Sequence, residues 1–520
     1  MAAHDFKILI AGGSVAGLVL AIMLEKLGID FLVLEGHSKI APQVGASIGW
    51  FPNASRILDQ LGCYDDLRAK ITIPMGDMLL RTPEGGVLCH VNKLSEHFIL
   101  RHGYDPVFVD RQMALEIFYN HINAKSKVLL HKQVVKVNTL EKGIEVATQD
   151  DSIYSGDMLV GANGVHSAVR QEMWRLGNEL SPGYFAKSPA DDIKCDYLCV
   201  FGISGPTESY ITAANYNALG HGRSHVVIGG PEGRIYWFLF IKCDRTLHGL
   251  GKEIPRVFSK EEENALVEKF KDDPITNLVK FGDLYKNKIA SVLTALLEFV
   301  QEKWHYDRIF ILGDAVHKFN PISGQGGANA IETAAVLVTQ LMTTLTQHPT
   351  PTTADLSAAF QTTQSLRLAR VQDLVRAAHA EQSLSALETP LLKLMARLYV
   401  PLLGVEGALG KFSDAFVGGA SLPMLLVPKR PRFEPYLDEL PARPLQWKEV
   451  SASVAGVVFA RLVVVARTEM GGVERGLLAG LGNLSTDATE VYRHTALLPS
   501  ILIWTIEAYR AANVAGPISL

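Results

Sequence analysis

The first 35 residues alternate between short apolar runs and one helical pattern. Phe6–Ala11 and Asp30–Leu34 have the length and apolar content of buried strands, whereas Ala16–Leu27 has the periodicity of a buried helix. Gly28 follows that helix at the position where a glycine commonly ends one. This order predicts a β-α-β unit of the size that binds nucleotides.

Shorter strand-like runs continue this pattern to about residue 160. They lie at 108–109, 128–130, 134–137, 144–146 and 158–160, with a helix predicted over 113–122. Between about 180 and 290, aromatic and β-branched runs such as Tyr236–Ile241 alternate with Gly and Pro turns, which favours an antiparallel sheet. The pattern then predicts a buried strand at Arg308–Leu312 and a helix at Ala328–Thr346, so the first domain resumes after an insertion.

The whole pattern predicts an α/β fold, in which a Rossmann-like domain carries an inserted, mostly antiparallel β-sheet domain and a helical C-terminal tail. A long helix is predicted from Asp355 to about Ala386. The predicted domain boundaries are 1–180 for the first part of the nucleotide-binding domain, 181–290 for the substrate domain, 291–422 for the second part of the nucleotide-binding domain with its helices, 423–445 for a Pro-rich linker and 446–520 for the apolar tail.

The tail contains two apolar stretches. Val450–Ala466 is interrupted by Arg461, and Ala496–Ile506 is followed by Glu507, so neither reaches the roughly 20 apolar residues of a spanning helix. We expect a helical tail that associates with a membrane; packing of these helices on the protein's own surface is the alternative. The amino terminus lacks the pattern of a secretory signal peptide, so we expect an intracellular protein at the endoplasmic reticulum face.

Charge and cysteine content narrow the range of ligands. The net charge of −4 provides no basic field, which argues against a nucleic-acid partner. The five cysteines are scattered without a C-x-x-C pair, which favours free thiols in a reducing compartment over metal ligation or a functional disulfide. A small organic ligand is therefore expected, and no metal.

A glycine-containing turn joins the first strand to the first helix. Gly12 permits a tight turn, Gly17 lets the helix lie close to the sheet, and the helix N-terminus offers backbone N–H groups to a pyrophosphate. Ser14 stands where the middle glycine of G-x-G-x-x-G belongs, and Glu35 ends the second strand, where it can accept hydrogen bonds from ribose hydroxyls. Together these features predict dinucleotide binding.

Two further motifs follow the same strand-turn-helix plan. In the late motif, a buried strand delivers Asp314 at its carboxyl end, and a loop with Gly324, Gly326 and Gly327 then opens a helix. In the middle motif, residues 157–170 read DMLVGANGVHSAVR. His166 and His317 are candidate bases, although such histidines more often orient a turn.

These motifs, in this order, resemble those of flavoprotein monooxygenases of the para-hydroxybenzoate hydroxylase type. Segments such as GGSVAGL, GASIGWFPNASRILDQLG, FVDRQMALEIFY and GQGGANAIETAA most resemble the fungal FAD-dependent monooxygenases of indole-diterpene and meroterpenoid pathways, the paxilline epoxidase family. The resemblance covers roughly residues 5–440. It implies FAD as cofactor, NADPH or NADH and molecular oxygen as co-substrates, and epoxidation of an alkene in a prenylated or polycyclic substrate.

The resemblance also implies roles for particular residues. Glu35 is expected to bind the adenosine ribose, and Gly49, Arg111 and Asp314 are expected to contact FAD. Gly327 is expected in the loop against the flavin. A catalytic tyrosine of the substrate domain corresponds best to Tyr216, and packing within a strand is the alternative for this residue.

Departures from the family pattern keep other functions open. Asn163 replaces the usual Asp of the middle motif and removes a charge near the region associated with NAD(P)H use, so the sequence supports nicotinamide binding less strongly than FAD binding. Ala328 stands where Asn is frequent, with Asn329 next to it, which leaves the flavin contact of this loop open. An aromatic hydroxylase is the second hypothesis, since a group that deprotonates a phenol would suit it. A non-catalytic flavin-binding protein is the third. A disulfide-type reductase would require a second glycine fingerprint and a redox cysteine pair, and the sequence contains neither.

Overall fold

A computed structural model describes residues 4–42, 47–185, 193–210 and 213–440. The chain divides into one unit of residues 1–401 and 408–439 and a second of 402–407 and 440–520, and every described strand lies in the first unit. The predicted tail, 446–520, lies outside the described residues.

The described residues form strands and α-helices that are numbered in chain order. The strands are β1 (His4–Ala11), β2 (Ile29–Leu34), β3 (Ser47–Trp50), β4 (Asp77–Arg81), β5 (Val87–Val91), β6 (Val107–Asp110), β7 (Val128–Leu129), β8 (Val134–Leu140), β9 (Gly143–Thr148), β10 (Ile153–Gly156), β11 (Met158–Gly161), β12 (Lys194–Ser204), β13 (Ala214–Gly220), β14 (Arg223–Gly229), β15 (Ile235–His248), β16 (Lys288–Val300), β17 (His305–Tyr306), β18 (Ile309–Ile311) and β19 (His317–Lys318). The helices are α1 (Val15–Leu27), α2 (Pro52–Gln60), α3 (Tyr64–Ala69), α4 (Leu94–His102), α5 (Arg111–His121), α6 (Ala168–Leu180), α7 (Lys260–Phe270), α8 (Phe281–Lys286), α9 (Gly326–Gln347), α10 (Thr353–Ser385) and α11 (Pro390–Phe416).

A six-stranded sheet in the order β17-β18-β11-β1-β2-β7 forms the centre of the nucleotide-binding domain. Its strands pair in parallel except β17 with β18. Phe6 and residues 8–11 of β1 and most of α1 are buried, because helices cover both faces of such a sheet. A three-stranded antiparallel sheet, β10-β9-β8, contains the strand-like runs predicted at 134–137 and 144–146. The carboxyl ends of β1, β2, β11 and β18 meet at one edge, where open α/β sheets bind ligands.

The second large sheet has eight strands in the order β19-β16-β12-β15-β14-β13-β4-β5. All neighbours are antiparallel except β13 with β4. We call the outer face the one that packs with residues of α7 and α8, such as Val267 and Phe281. The inner face is the opposite one, which contacts the nucleotide-binding domain: Tyr236 donates a hydrogen bond of 2.6 Å to Asp110 at the end of β6.

The predicted fold class is confirmed, and the structure adds detail to its segments. β4 and β5 join the large sheet although they lie in the segment 77–91, and β16 extends that sheet to Val300. Thus the sheet draws strands from both sides of the predicted range 181–290. Periodicity along the chain cannot reveal this, because pairing partners that are distant in sequence decide which sheet a strand joins. The domain boundaries themselves stay predictions.

Candidate active site

The glycine turn after β1 brings backbone groups of the middle motif and α1 together. Gly12 has φ +107°, and a Cβ on it would come 2.6 Å from the carbonyl oxygen of Ala162. A Cβ on Gly17 would collide with the carbonyl oxygen of Gly12. Both glycines are therefore required by close backbone approach, which leaves the N-terminus of α1 open towards the sheet edge.

Glu35 lies beside this turn at the end of β2 and is almost entirely buried. The backbone N–H of Gly13 donates to its Oε2 at 2.5 Å, and that of His37 donates to its Oε1 at 2.8 Å. A Cβ on Gly13 would come 3.0 Å from the Cβ of Glu35. The carboxylate is thus held at the glycine turn, in the position expected for binding a ribose.

Arg111, the first residue of α5, reaches the same place. Its Nη2 donates a hydrogen bond of 2.7 Å to Oγ of Ser14, the residue that precedes α1. Burial lowers the pKa of Arg111, while the carboxylates of Asp314 and Glu35 act in the opposite direction. The structure therefore brings Ser14, Glu35, Arg111 and Asp314 into one electrostatic cluster.

Asp314 lies in a 3-10 helix, Gly313–Ala315, directly after β18, and it forms an ion pair with Lys318. Gly313 has φ +63°, and a Cβ on it would lie 3.5 Å from the Cβ of Ala16 in α1. Buried Arg170 of the middle motif donates to the carbonyl oxygens of Ala315 at 2.7 Å and Val165 at 2.6 Å. The middle and late motifs are thus joined by one guanidinium group.

The loop before α9 lies against β3. A Cβ on Gly327 would lie 3.0 Å from Cδ1 of Ile48, and a Cβ on Gly49 would come 2.6 Å from the Phe108 ring on the paired strand. Both predicted glycines therefore occupy a crowded junction between β3, β6 and the first turn of α9. That turn has no side-chain cap, so its backbone N–H groups point at this junction.

A buried charge network holds α9 beneath this loop. Glu332 accepts hydrogen bonds from Arg367 at 2.5 Å, from Arg370 at 2.9 and 3.0 Å and from Asn53 at 2.7 Å. Arg367 also donates to Asn329 Oδ1 at 2.7 Å. Burial raises the pKa of Glu332, but the charges of Arg370 and Arg367 outweigh it and lower the pKa to about 2. Asn329 is therefore a hydrogen-bond acceptor within this network, and Ala328 beside it is fully buried.

The inner face of the large sheet presents a transverse row of side chains to the nucleotide-binding domain. Register pairs Phe201 with Phe238, Phe238 with Val226, Val226 with Asn217 and Asn217 with Leu80. All five are half-buried, and none is titratable. Ile322 of the late loop packs against the inner-face cluster that contains Phe240 and is joined by Phe201 and Phe238. We call these five residues the inner row. Phe201, Val226 and Phe238 share a cluster with Ile322 of the late loop, whereas Leu80 packs with Leu387 and Ala396.

Tyr216 lies on the other side of the sheet. It belongs to the outer-face cluster with Trp237 and Phe281, and its ring contacts that of Tyr210 edge-on with centroids 5.5 Å apart. Residues opposite each other on neighbouring strands share a face, and Tyr216 pairs with Val227, which pairs with Trp237. The structure does not bring Tyr216 to the cluster of Arg111 and Asp314, and this placement provides no direct contact with the late loop.

The two candidate histidines differ in environment. His317 is fully buried, with Nε2 3.0 Å from Oγ1 of Thr333, and burial together with the charge of Arg367 lowers its pKa to about 3. His166 is exposed, and its pKa is lowered by partial burial and by the charges of Arg256, Arg170 and Lys318. His317 is therefore a neutral structural residue, whereas His166 belongs to a basic surface beside the middle motif.

Several site features were not predicted from the sequence. The Ser14–Arg111 hydrogen bond joins positions 97 residues apart, and the inner row combines five strands. The sequence gives one weak indication that Glu332 is buried in a charge network, because this acidic residue stands among apolar ones in the predicted helix 328–346. The alternation of Asn215, Tyr216 and Asn217 indicated two faces of one strand but not which face is inside.

The residues present fit an FAD molecule. Close-packed glycines at a helix N-terminus provide room and N–H donors for a pyrophosphate, Glu35 is placed for a ribose, and Arg111 and Asp314 lie at the same sheet edge. The fold and this site define a flavin-binding protein of the two-domain type, with a nucleotide-binding domain and a substrate sheet.

Comparison with known proteins agrees with this class. The FAD binding domain family matches residues 5–175 and 286–378. FAD-dependent monooxygenase olcE of Penicillium canescens is 37% identical over 83% of this chain and 92% of its own length. FAD-dependent monooxygenase ausM of Emericella nidulans is 34% identical over 88% of this chain and 96% of its own. The chain belongs to this family of fungal FAD-dependent monooxygenases.

A solved structure shows the same fold. HpxO of Klebsiella pneumoniae, in complex with FAD and uric acid, matches with a TM-score of 0.64 and 22% identity over 81% of this chain and 98% of that one. The family model and the sequence relatives confirm the predicted family resemblance, whereas this structure confirms the fold alone. The individual cofactor assignments stay predictions and agree with the geometry of the site; they concern Gly12, Ser14, Gly17, Glu35, Gly49, Arg111, Asp314 and Gly327. The catalytic assignment of Tyr216 stays a prediction that rests on the family resemblance alone.

Proposed function

We propose that the protein uses FAD, NAD(P)H and molecular oxygen to epoxidise an alkene of a prenylated, polycyclic intermediate of secondary metabolism. The observation that carries this proposal is the inner row, in which four of the five side chains are apolar and none is titratable. Electrophilic oxygen transfer to an alkene requires no base, whereas hydroxylation of a phenol benefits from one. An apolar wall also excludes water from the reacting groups.

FAD, when bound and reduced by the nicotinamide, supplies the activated oxygen. The residues of this chain would bind FAD and the alkene substrate and orient them relative to each other. Ser14, Glu35, Arg111 and Asp314 would hold the cofactor at the sheet edge, while Phe201, Phe238 and Val226 would hold the alkene. The fungal relatives are named FAD-dependent monooxygenases, and this chain aligns with more than nine-tenths of their length. Both facts support a complete monooxygenase activity.

The basic surface near the middle motif supports use of a nicotinamide dinucleotide. Arg256 and Lys318 lie within electrostatic reach of His166, and Asn163 adds no negative charge there. Phosphate groups of NADPH or NADH would be attracted to this surface. Arg256→Gln is expected to raise KM for NADPH about five-fold with little change in kcat, whereas Arg376→Gln on the exposed side of α10 would change neither. An unchanged KM in Arg256→Gln would place nicotinamide binding elsewhere.

The proposed reaction is tested by incubating the FAD-loaded protein with NADPH, oxygen-18 and a panel of prenylated aromatic and polyketide alkenes. Mass spectrometry should show a product that gains one labelled oxygen atom and that opens to a diol in acid. A labelled product that resists acid opening and carries a new phenol would instead establish an aromatic hydroxylase. Bound flavin that NADPH never reduces, with or without substrates, would establish a non-catalytic flavin protein.

Association with a membrane through residues 446–520 belongs to this proposal as well, since a prenylated substrate partitions into lipid. Within the part of the chain that the structure describes, no helix is long and apolar enough to cross a bilayer. The proposal therefore rests on the apolar stretches of the tail sequence alone. Truncation after Pro444 should release the protein from the membrane fraction of cells; equal membrane binding of the truncated chain would contradict it.

A further inference from the structure

Two asparagines on β13 point to the inner face of the large sheet. Asn215 pairs with Ile228 and Asn217 with Val226, both inner-face positions. Alternate residues of a strand share a face, so the two amides lie about 7 Å apart along it. Ile228 packs with Ile203 and Tyr236, so apolar side chains and one tyrosine surround these amides.

Neither amide makes a hydrogen bond with any residue that the structure describes. Asn215 is 7% exposed, so it is more than nine-tenths buried, and it lines a recess with Met75, Phe108 and Pro231. The recess is small, with a cavity volume of about 20 Å³, and part of it is open to solvent. The polar atoms of the Asn215 amide have no protein partner among the described residues and are not sealed in the core, because they border a recess that is partly open. They are therefore available to a ligand that displaces water.

Asn217 likewise lacks a hydrogen-bond partner among the described residues, and it lies within the inner row. It is half-buried, and its neighbours on the two adjacent strands are Val226 and Leu80. A leucine at this position would match those neighbours and would leave no polar group unpaired. Local rules of sequence and packing are commonly broken at functional sites, where a ligand supplies the missing partner.

We infer that Asn215 and Asn217 form a polar subsite that binds a hydroxyl or carbonyl oxygen of an otherwise apolar substrate. An amide both donates and accepts hydrogen bonds, so the pair suits an oxygen of either kind. The subsite would fix the orientation of the molecule along the inner row and so select which alkene is presented. This inference rests on the proposed function, because it takes the inner row as the substrate wall.

The test compares two probes, a farnesyl phenol and the matched farnesyl benzene, which lacks the hydroxyl. Their dissociation constants are measured from the perturbation of flavin absorbance in the FAD-loaded full chain, without NADPH. The wild type is expected to bind the phenol at least about five-fold more tightly, which is the effect of one hydrogen bond. Asn217→Leu and Asn215→Val are expected to lose this preference, while Asn120→Leu on the exposed side of α5 would keep it.

Thermal unfolding separates a binding role from a structural one. Asn217→Leu should unfold at the same temperature as the wild type or higher, because it replaces an unpaired amide by an apolar group. If Asn217→Leu does not fold, Asn217→Ser provides the test instead. This smaller change is also expected to lower the preference for the phenol. Equal affinity of the wild type for both probes, no binding of the phenol, or a preserved preference in the variants would overturn the inference.

The outcome remains distinct from that of the proposed reaction. A protein that discriminates the probes but forms no epoxide would retain the subsite and contradict the epoxidase proposal. A protein that forms epoxides without discriminating the probes would support the epoxidase proposal and contradict the subsite.

Discussion

Nη2 of Arg111 donates a hydrogen bond of 2.7 Å to Oγ of Ser14 and thereby joins the N-termini of α5 and α1. Ser14 is the residue that departs from the glycine fingerprint, and its hydroxyl makes no capping hydrogen bond to α1. The side chain that a glycine lacks is therefore used to orient a guanidinium next to Glu35 and Asp314. The departure is consistent with cofactor binding, because it positions a cation where phosphate groups are expected.

Arg111→Gln is expected to weaken FAD binding at least about ten-fold, because a hydrogen bond to a charged group contributes roughly 1.5–3 kcal/mol. Ser14→Ala should have a smaller effect, about two-fold to five-fold, since the guanidinium remains but is less well oriented. Both are measured by titrating the apoprotein with FAD and following the quenching of flavin fluorescence. Arg376→Gln is the control, and FAD affinity that is equal in Arg111→Gln and the control would refute a cofactor role for Arg111.

Glu332→Gln is expected to lower the free energy of unfolding by about 3–5 kcal/mol, the usual effect of breaking a buried ion pair. The cause is that Arg367, which is buried, and Arg370 would lose their shared carboxylate. Urea denaturation of the purified proteins measures this change. Glu268→Gln, at an exposed pair with Lys271, should change the same quantity by less than about 1 kcal/mol. Equal decreases in the free energy of unfolding of the two variants would show that the buried network stabilises the fold no more than an exposed ion pair does.

Stability is expected to fall as the pH decreases below about 6.5, with His317 as one contributor. Its pKa is lowered to about 3 in the folded protein, chiefly by burial, so the unfolded chain binds a proton that the folded chain excludes. The contribution is absent above the ordinary histidine pKa and destabilises the fold progressively from there down to about pH 3. At pH 5 it amounts to about 2 kcal/mol.

This pH dependence is measured as the difference in unfolding free energy between pH 7.5 and pH 5, for the wild type and for His317→Gln. The variant should show a smaller decrease than the wild type. His248→Gln is a surface control and should keep the wild-type slope. An identical slope in His317→Gln would mean that other groups account for the acid sensitivity.

Tyr216→Phe is expected to retain turnover and FAD content close to the wild-type values, because the ring packs on the outer face of the sheet. Phe238→Ala, on the inner row, should instead raise KM for the alkene substantially, since it removes a large part of the apolar wall. Steady-state kinetics with the substrate identified by the product screen provide both numbers. A fall in kcat of a hundred-fold or more in Tyr216→Phe would restore the catalytic role predicted by resemblance.

The sequence by itself determined those parts of the site that depend on neighbours along the chain. The turn from Gly12 to Gly17, the position of Asp314 after a buried strand and the carboxylate of Glu35 all follow from a strand, a turn and a helix in direct succession. The physical reason is that backbone approach at a tight turn, and the open N–H groups at a helix start, are local properties.

Only the tertiary structure decided which distant residues meet. Whether Tyr216 or Asn217 faces the flavin-binding domain depends on which side of β13 is covered by α7 and α8, and shifting the register by one residue would exchange them. The pairing of β13 with β4, the contact of Arg111 with Ser14 and the burial of Glu332 between two arginines likewise involve segments far apart in sequence. These contacts arise from the packing of two sheets and their helices, which no periodicity within one segment specifies.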